Sequence, residues 1–150
     1  MNLDQATKIT GYSLFDDGEL ITYGVLEAKG RNLMDRMKEM QELIGGLIEK
    51  YKPDHVVFEG IQFQRNYKTY MQLAQLQGII LAHLFRSKIA FSIVEASAWR
   101  RSAKIAGRKR AEQKKNTQKF VKEKYNIDCT EDEADAVGIG YWSINNIKGE

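Results

Sequence analysis

Asp54-His55-Val56-Val57-Phe58-Glu59-Gly60 is the stretch from which the fold can be read. It follows Pro53, the only proline in the chain. Val56 to Phe58 are apolar in succession, with no polar alternation. Such a run predicts a strand covered on both faces, as in a parallel or mixed α/β sheet. Glu59 follows directly, and Gly60 lets the chain turn away. A carboxylate at the C-terminal end of a central strand lies where α/β sheets place their ligand crevice. A lone charge buried there is costly, so Glu59 is expected to have a counter-ion. The plainer reading is a glutamate that opens an exposed loop.

Around that stretch, 150 residues suit a single domain over residues 1–150 with one core. No apolar run is long enough for a transmembrane helix. Met1-Asn2-Leu3-Asp4 does not begin a signal peptide. Cys129 is the only cysteine, which excludes an internal disulfide framework and suits a reducing cytoplasm. With His55 and His83 it leaves too few ligands for a structural zinc site. Charge is unevenly spread. Arg100 to Lys124 holds eleven Lys or Arg against two Glu, or +9 within a net charge of +3, so the rest carries −6. That asymmetry predicts a polyanionic partner.

In chain order, Leu3-Asp4 opens a short strand and Gln5 to Lys8 reads as a turn. Ile9–Phe15 and Glu19–Glu27 are strand candidates rich in Ile, Tyr, Val and Thr. Asp16-Asp17-Gly18 joins them as a hairpin, giving three antiparallel strands in sequence. Asn32 caps a helix to about Tyr51, with Leu33, Met37, Met40, Leu43, Ile44, Leu47 and Ile48 at helical spacing. The pair Gly45-Gly46 weakens it. Ile61 to Asn66 leads into a helix to about Arg86, whose apolar content includes Met71, Leu73, Ala74, Leu76, Gly78, Ile79, Leu81 and Ala82. Of Tyr67 and Tyr70, beside Arg65 and Lys68, one is expected in the core and the other against nucleic acid. Ile89–Val94 is a further strand. Ser97 is expected to cap a short helical turn, Ala98 to Lys104, with Trp99 inward. Gly107 breaks the chain before a basic helix, Arg108 to Tyr125.

Thr130-Glu131-Asp132-Glu133-Ala134-Asp135 opens a last helix running to about Ile147. Thr130 and Glu133 form a capping-box pattern, and acids in a first turn favour the helix dipole. That accounts for Asp132 and Glu133 without any site. Asp132 and Asp135, however, share a helix face. Ala134, Ala136, Gly138 and Gly140 are all small. Each mid-helix glycine costs about 1 kcal/mol against alanine, a cost that makes sense if the helix lies very close to the sheet. Close packing would bring Asp132 and Asp135 against the strand ends carrying Asp4 and Glu59.

At this point the chain resembles the RuvC Holliday-junction resolvases. Asp4-Gln5-Ala6-Thr7-Lys8-Ile9-Thr10-Gly11-Tyr12 is similar to their first motif. Phe58-Glu59-Gly60 through Asn66, then Leu73-x-x-x-Gln77-Gly78, is similar to the second, and Asp132-Glu133-Ala134-Asp135-Ala136 to the last. The ordered set spans almost the whole chain, and its short length is like the phage-type members. Asn2-Leu3 stands where the family usually has Gly-Ile, and Phe63 falls one position later than the family's aromatic. The resemblance implies an RNase H-like α/β fold, a mixed five-stranded sheet flanked by helices. It implies a homodimeric, Mg²⁺-dependent endonuclease acting on four-way DNA junctions and other branched DNA. Its place would be the cytoplasm, that of a bacterial host if phage-encoded. Asp4, Glu59, Asp132 and Asp135 match the four catalytic, metal-binding acids. The candidate DNA contacts are Phe63, Arg65 and Lys68, then Arg100, Arg101, Lys104, Arg108, Lys109, Arg110, Lys114 and Lys115.

The chemistry needs acids of this kind. Two Mg²⁺ ions about 4 Å apart can activate a water and stabilise the leaving oxygen of a phosphodiester, with Mn²⁺ able to substitute. Mg²⁺ prefers oxygen ligands, so a few carboxylates suffice. By the resemblance, Asp4 bridges both ions, and Lys109, Lys114 or Lys115 steadies the scissile phosphate. A solvated helix face is the plainer reading of any one of these lysines. The basic segment supplies sequence-independent, salt-sensitive affinity, and a two-fold dimer matches a junction with two symmetric cleavage points. The rivals are a branched-DNA-binding protein that does not cut and an RNA-processing nuclease of the same fold. An actin-like or sugar-kinase phosphate site is a more distant rival. It needs two such domains, and 150 residues are too few for both.

Overall fold

The computed structural model describes residues 1–63 and 65–147; Gln64, inside the expected Ile61–Asn66 loop, lies outside them. Five strands form one sheet: β1 (Asn2–Asp4), β2 (Ile9–Asp16), β3 (Glu19–Glu27), β4 (His55–Glu59) and β5 (Ala90–Val94). Their order is β3-β2-β1-β4-β5. β1 and β2 pair antiparallel, as do β2 and β3, whereas β1–β4 and β4–β5 are parallel. At the β2–β3 turn, Asp17 and Gly18 both take positive φ, 46° and 82°. That is the conformation a two-residue hairpin needs to match strand twist.

β4, an interior strand between β1 and β5, is covered on both faces, as its unbroken apolar run predicts. Val56 and Phe58 belong to one core with Leu3, Met40, Ile44, Ile48, Leu76, Ile80 and Leu84. The last six of these, Leu3 aside, come from helices α1 (Leu33–Tyr51) and α2 (Tyr67–Ser87). Val57 points the other way, into a core with Val94, Trp99 and Ile139. The helices on that side are α3 (Ala96–Ser102), α4 (Arg110–Tyr125) and α5 (Glu131–Asn146). Asn32 and Asn66 cap α1 and α2 through their side chains. Thr130 and Glu133 make the expected capping box on α5.

Several local expectations are corrected. The buried row of α2 is Leu76, Ile80 and Leu84, four residues apart and hence on one face. Met71, five residues before Leu76, falls on another side and is exposed. Neither tyrosine at the start of α2 is core: Tyr67 is exposed, and Tyr70 packs half-buried, edge-on, against Phe63 with ring centroids 5.5 Å apart. Ser97 does not cap α3. The helix begins two residues earlier than expected, at Ala96, with Glu95 in the cap position and no side-chain bond to the first turn. α4 begins at Arg110, with Lys109 as its cap residue. Gly45 is buried on α1 beside His83 of α2, and a Cβ there would sit 3.4 Å from that ring; Gly46 faces nothing comparable.

α5 does lie very close to the sheet. A Cβ on Gly140 would overlap the Phe15 ring and come within 2.8 Å of Asn2 Nδ2. Ser13 Oγ donates to the Ala136 carbonyl at 2.7 Å, tying β2 to the helix backbone. Gly138 faces Trp99, where a Cβ would stand 2.6 Å from the indole.

Candidate active site

The parallel register of β1 and β4 pairs Asn2 with Val57 and Leu3 with Phe58. The next residues along each strand, Asp4 and Glu59, therefore emerge side by side at the C-terminal edge of the sheet. On the other flank of β1, Asp4 is paired with Gly11. Gly11 lies directly beneath the first turn of α5, where any Cβ would overlap the Asp132 carbonyl. The missing side chain at position 11 lets that turn settle beside Asp4, and so brings Asp132 and Asp135 to the two strand-end acids. All four line one cleft.

The electrostatics follow from this crowding. Burial first, then the nearby Asp135 and Glu59 carboxylates, push the Asp4 pKa up to about 8. Burial raises Glu59, opposed by the Trp99 hydrogen bond and by Arg100. Burial likewise raises Asp135, 2% exposed, even though Lys114 works against the shift. Lys114 Nζ pairs directly with Asp135 Oδ2. Burial alone would lower the lysine's pKa, but Asp135, Asp4 and Asp132 outweigh it and hold the ammonium charged.

Among the described residues, the counter-ion expected for Glu59 is not in direct contact with its carboxylate, although the charge of Arg100 lies near it. Glu59 Oε2 accepts instead from the neutral indole Nε1 of Trp99 at 2.7 Å. Its main-chain carbonyl accepts from Gln5 Nε2 at 3.1 Å and Gln77 Nε2 at 3.3 Å. Arg100 stacks over the same indole, with its guanidinium carbon 4.6 Å from the ring centroid.

The cleft encloses about 1620 Å³, more than the few hundred to 1,000 Å³ of a typical small-ligand pocket. Of the candidate DNA contacts, Phe63, Arg65, Arg100, Arg101, Lys104, Arg110 and Lys114 line it. Lys68, Arg108, Lys109 and Lys115 lie outside its lining. The three lysines thus part company for a geometric reason. Thr117 and Val121 are the buried positions of α4, and Lys114, three residues before Thr117, shares their face. Lys115 is turned about 100° away from it. Reading the sequence missed Lys8, Gln5 and Trp99 as parts of the site. Lys8 sits in the loop between the first two strands, and that position was a usable signal. Trp99 read only as core.

Among the described residues no group of three or more Asp, Glu, His or Cys is arranged to hold a metal ion; Lys114 supplies positive charge where the acids meet. The donor set nevertheless fits a hard divalent cation. It is all carboxylate oxygen; one of those oxygens, Asp135 Oδ1, and the neighbouring amide oxygen Gln5 Oε1 are buried and find no donor among the described residues.

Comparisons with known proteins point to one family. The family model described as "Crossover junction endodeoxyribonuclease RuvC" matches residues 1–141. A protein of that name from Dictyoglomus turgidum is 29% identical over 144 residues, covering 93% of this chain and 91% of the relative. Another from Halothermothrix orenii is 29% identical over 156 residues, covering 99% and 93%. The structure described as "T. thermophilus RuvC in complex with Holliday junction substrate" superposes with a TM-score of 0.77 at 13% identity, covering 95% of this chain and 89% of that one. The RNase H-like fold is therefore the one the motifs predict. A phage-type assignment from short length is not supported, since the chain spans nearly the full length of these bacterial relatives. The chain belongs to the RuvC family of crossover junction endodeoxyribonucleases.

Proposed function

We propose that residues 1–150 form one nuclease domain that cleaves four-way DNA junctions as a homodimer, using Mg²⁺, with Mn²⁺ as a substitute. The observation that carries this reading is the convergence of Asp4, Glu59, Asp132 and Asp135 in a wide cleft walled by arginine and lysine. Divalent cations held by these four acids would supply Lewis-acid stabilisation of the phosphate and a water of lowered pKa. The chain's own residues do the rest. Arg100, Arg101, Lys104 and Arg110 draw in the sugar-phosphate backbone by releasing its counterions. Lys114 lies in reach of a phosphate brought against Asp135. The exposed Phe63 ring, in the lining of the cleft, offers a stacking surface for an unpaired base. The T. thermophilus protein whose structure superposes on this chain was solved with a Holliday junction, and a two-fold dimer suits a substrate with two symmetric cleavage points. No helix of the described residues is long and apolar enough to cross a membrane.

The test is cleavage of synthetic four-way junctions, three-way forks, plain duplex and structured RNA side by side, with Mg²⁺ or with EDTA. Junctions should be cut in Mg²⁺ and not in EDTA. Asp4→Asn or Glu59→Gln should abolish cutting and leave the fold and junction binding intact. Preferential cleavage of RNA would replace this reading with an RNA-processing one. Junction binding without cutting under any divalent ion would make the chain a binding protein.

A further inference from the structure

Glu59 is held at both ends. Its backbone carbonyl takes two side-chain amides, one from Gln5, next to Asp4, and one from Gln77 on α2. Its carboxylate takes the Trp99 indole. Resting on the reading that Glu59 is a metal ligand, we propose that Trp99 is a positioning residue. The indole N–H commits Oε2 to a fixed direction and leaves Oε1 to take a cation.

Three features support a role beyond core packing. First, the donor is neutral. An indole N–H has no acceptor function and no charge, so it orients the carboxylate without neutralising it. A lysine or arginine in that place would compete with an incoming cation for the same oxygen. Second, Trp99 is fully buried and wedged between two parts of the site. One edge meets Glu59, and the ring abuts Gly138 so closely that a Cβ there would stand 2.6 Å away. Gly138 lies on the helix that carries Asp132 and Asp135. The indole therefore spaces that helix from the strand bearing Glu59. Third, the Arg100 guanidinium stacks on the face of the ring. Its charge lies near Glu59, but among the described residues it makes no direct ion pair with that carboxylate.

Partners that orient metal ligands typically contribute ten- to a hundredfold to metal affinity. Trp99→Phe keeps an aromatic ring in the space beside Gly138 and deletes the N–H donor. Mg²⁺ binding followed by calorimetry, and Mn²⁺ binding followed by electron paramagnetic resonance, should weaken about tenfold or more in this variant. A Trp99 that merely packs would leave both affinities unchanged.

A second measurement needs no change at Trp99. The chain has two tryptophans, so Trp142→Phe leaves Trp99 as the only indole emitter. Titrating Mg²⁺ into that protein should shift or quench its emission, because the charge on the hydrogen-bond acceptor changes. Adding Glu59→Gln should abolish the response. Should Trp99→Phe fail to fold, the emission experiment alone decides, and a silent indole under saturating Mg²⁺ overturns the proposal. The two readings fail differently. If the unmutated protein binds no divalent cation, the metal-dependent function is wrong. If it binds one as tightly with Phe as with Trp at position 99, only the positioning role is wrong.

Discussion

Asp4→Asn should stabilise the metal-free protein at neutral and alkaline pH even as it ends catalysis. The reason lies in the crowding around that carboxyl, whose pKa rises from 3.8 to about 8 through burial and then through Asp135 and Glu59. Below about pH 4 the group is protonated in both the folded and the unfolded chain and costs nothing. Between there and about pH 8 the unfolded chain releases this proton while the folded chain keeps it, so stability falls as pH rises. Above about pH 8 the loss is complete. At about 1.4 kcal/mol per pH unit the ceiling on that loss is about 6 kcal/mol. Protons shared with Asp135 and water entering the cleft spread the cost, leaving about 2 kcal/mol. For a chain of this length that is a rise in Tm of about 4 to 8 °C for the variant at pH 8 in EDTA. Calorimetric melts in EDTA at pH 4.5, 6 and 8 would measure it. The gap between variant and parent should open with pH and close again when Mg²⁺ is added to the parent. A variant less stable than its parent at pH 8, or a gap of the same size at every pH, would show that crowding does not govern these acids.

Other changes should sort along the same geometry. Lys114→Met strips the buried Asp135 of its ion-pair partner and should cost about 3 kcal/mol in EDTA. The deficit should narrow when Mg²⁺ is added, and an unchanged Tm in EDTA would show that the pair is immaterial. Gly11→Ala forces a Cβ into the Asp132 carbonyl and should cost about 3 kcal/mol, with Mg²⁺ affinity falling as the first turn of α5 lifts; chemical denaturation and metal titration together would check it. Replacing Arg101, Lys104 and Arg110 with Gln should flatten the salt dependence of junction binding by up to about one counterion per lost contact. The pair Lys109 and Lys115, outside the cleft, should change that slope less, and equal slopes would mean that DNA does not follow the cleft.

The parts of the fold legible in the sequence are those where one physical rule dominates. The unbroken run Val56 to Phe58 marked a doubly covered strand. Asp17-Gly18 was a turn because it needs positive φ, and Thr130 with Glu133 was a helix start because their side chains close on each other's backbone. Asp4, Glu59, Asp132 and Asp135 could be singled out because strand ends and a small-residue helix converge. The lysines were different. α4 is polar nearly all round, with only Thr117 and Val121 buried, so no apolar stripe sets its phase and nothing separates Lys114 from Lys115. Trp99 was hidden for another reason. An indole is mostly apolar surface, and its inward position was clear, but which acceptor its single N–H finds depends on elements forty residues apart in the chain. The counter-ion expected for Glu59 turned on that same point: Arg100 lends its charge from the far side of the indole, while the direct contact is a neutral donor.

The last helix, only sixteen residues long, contributes two of the four acids and packs against β1, β2, β3 and β4. Asp4 and Glu59 precede α5 in the chain, and without that helix they have neither Asp132 and Asp135 beside them nor its cover over the sheet. A chain halted before Thr130 would leave the Val57 side of the sheet without that cover, a form suited to proteolysis rather than to work on DNA. Cover of the sheet and convergence of the acids thus depend on one and the same helix.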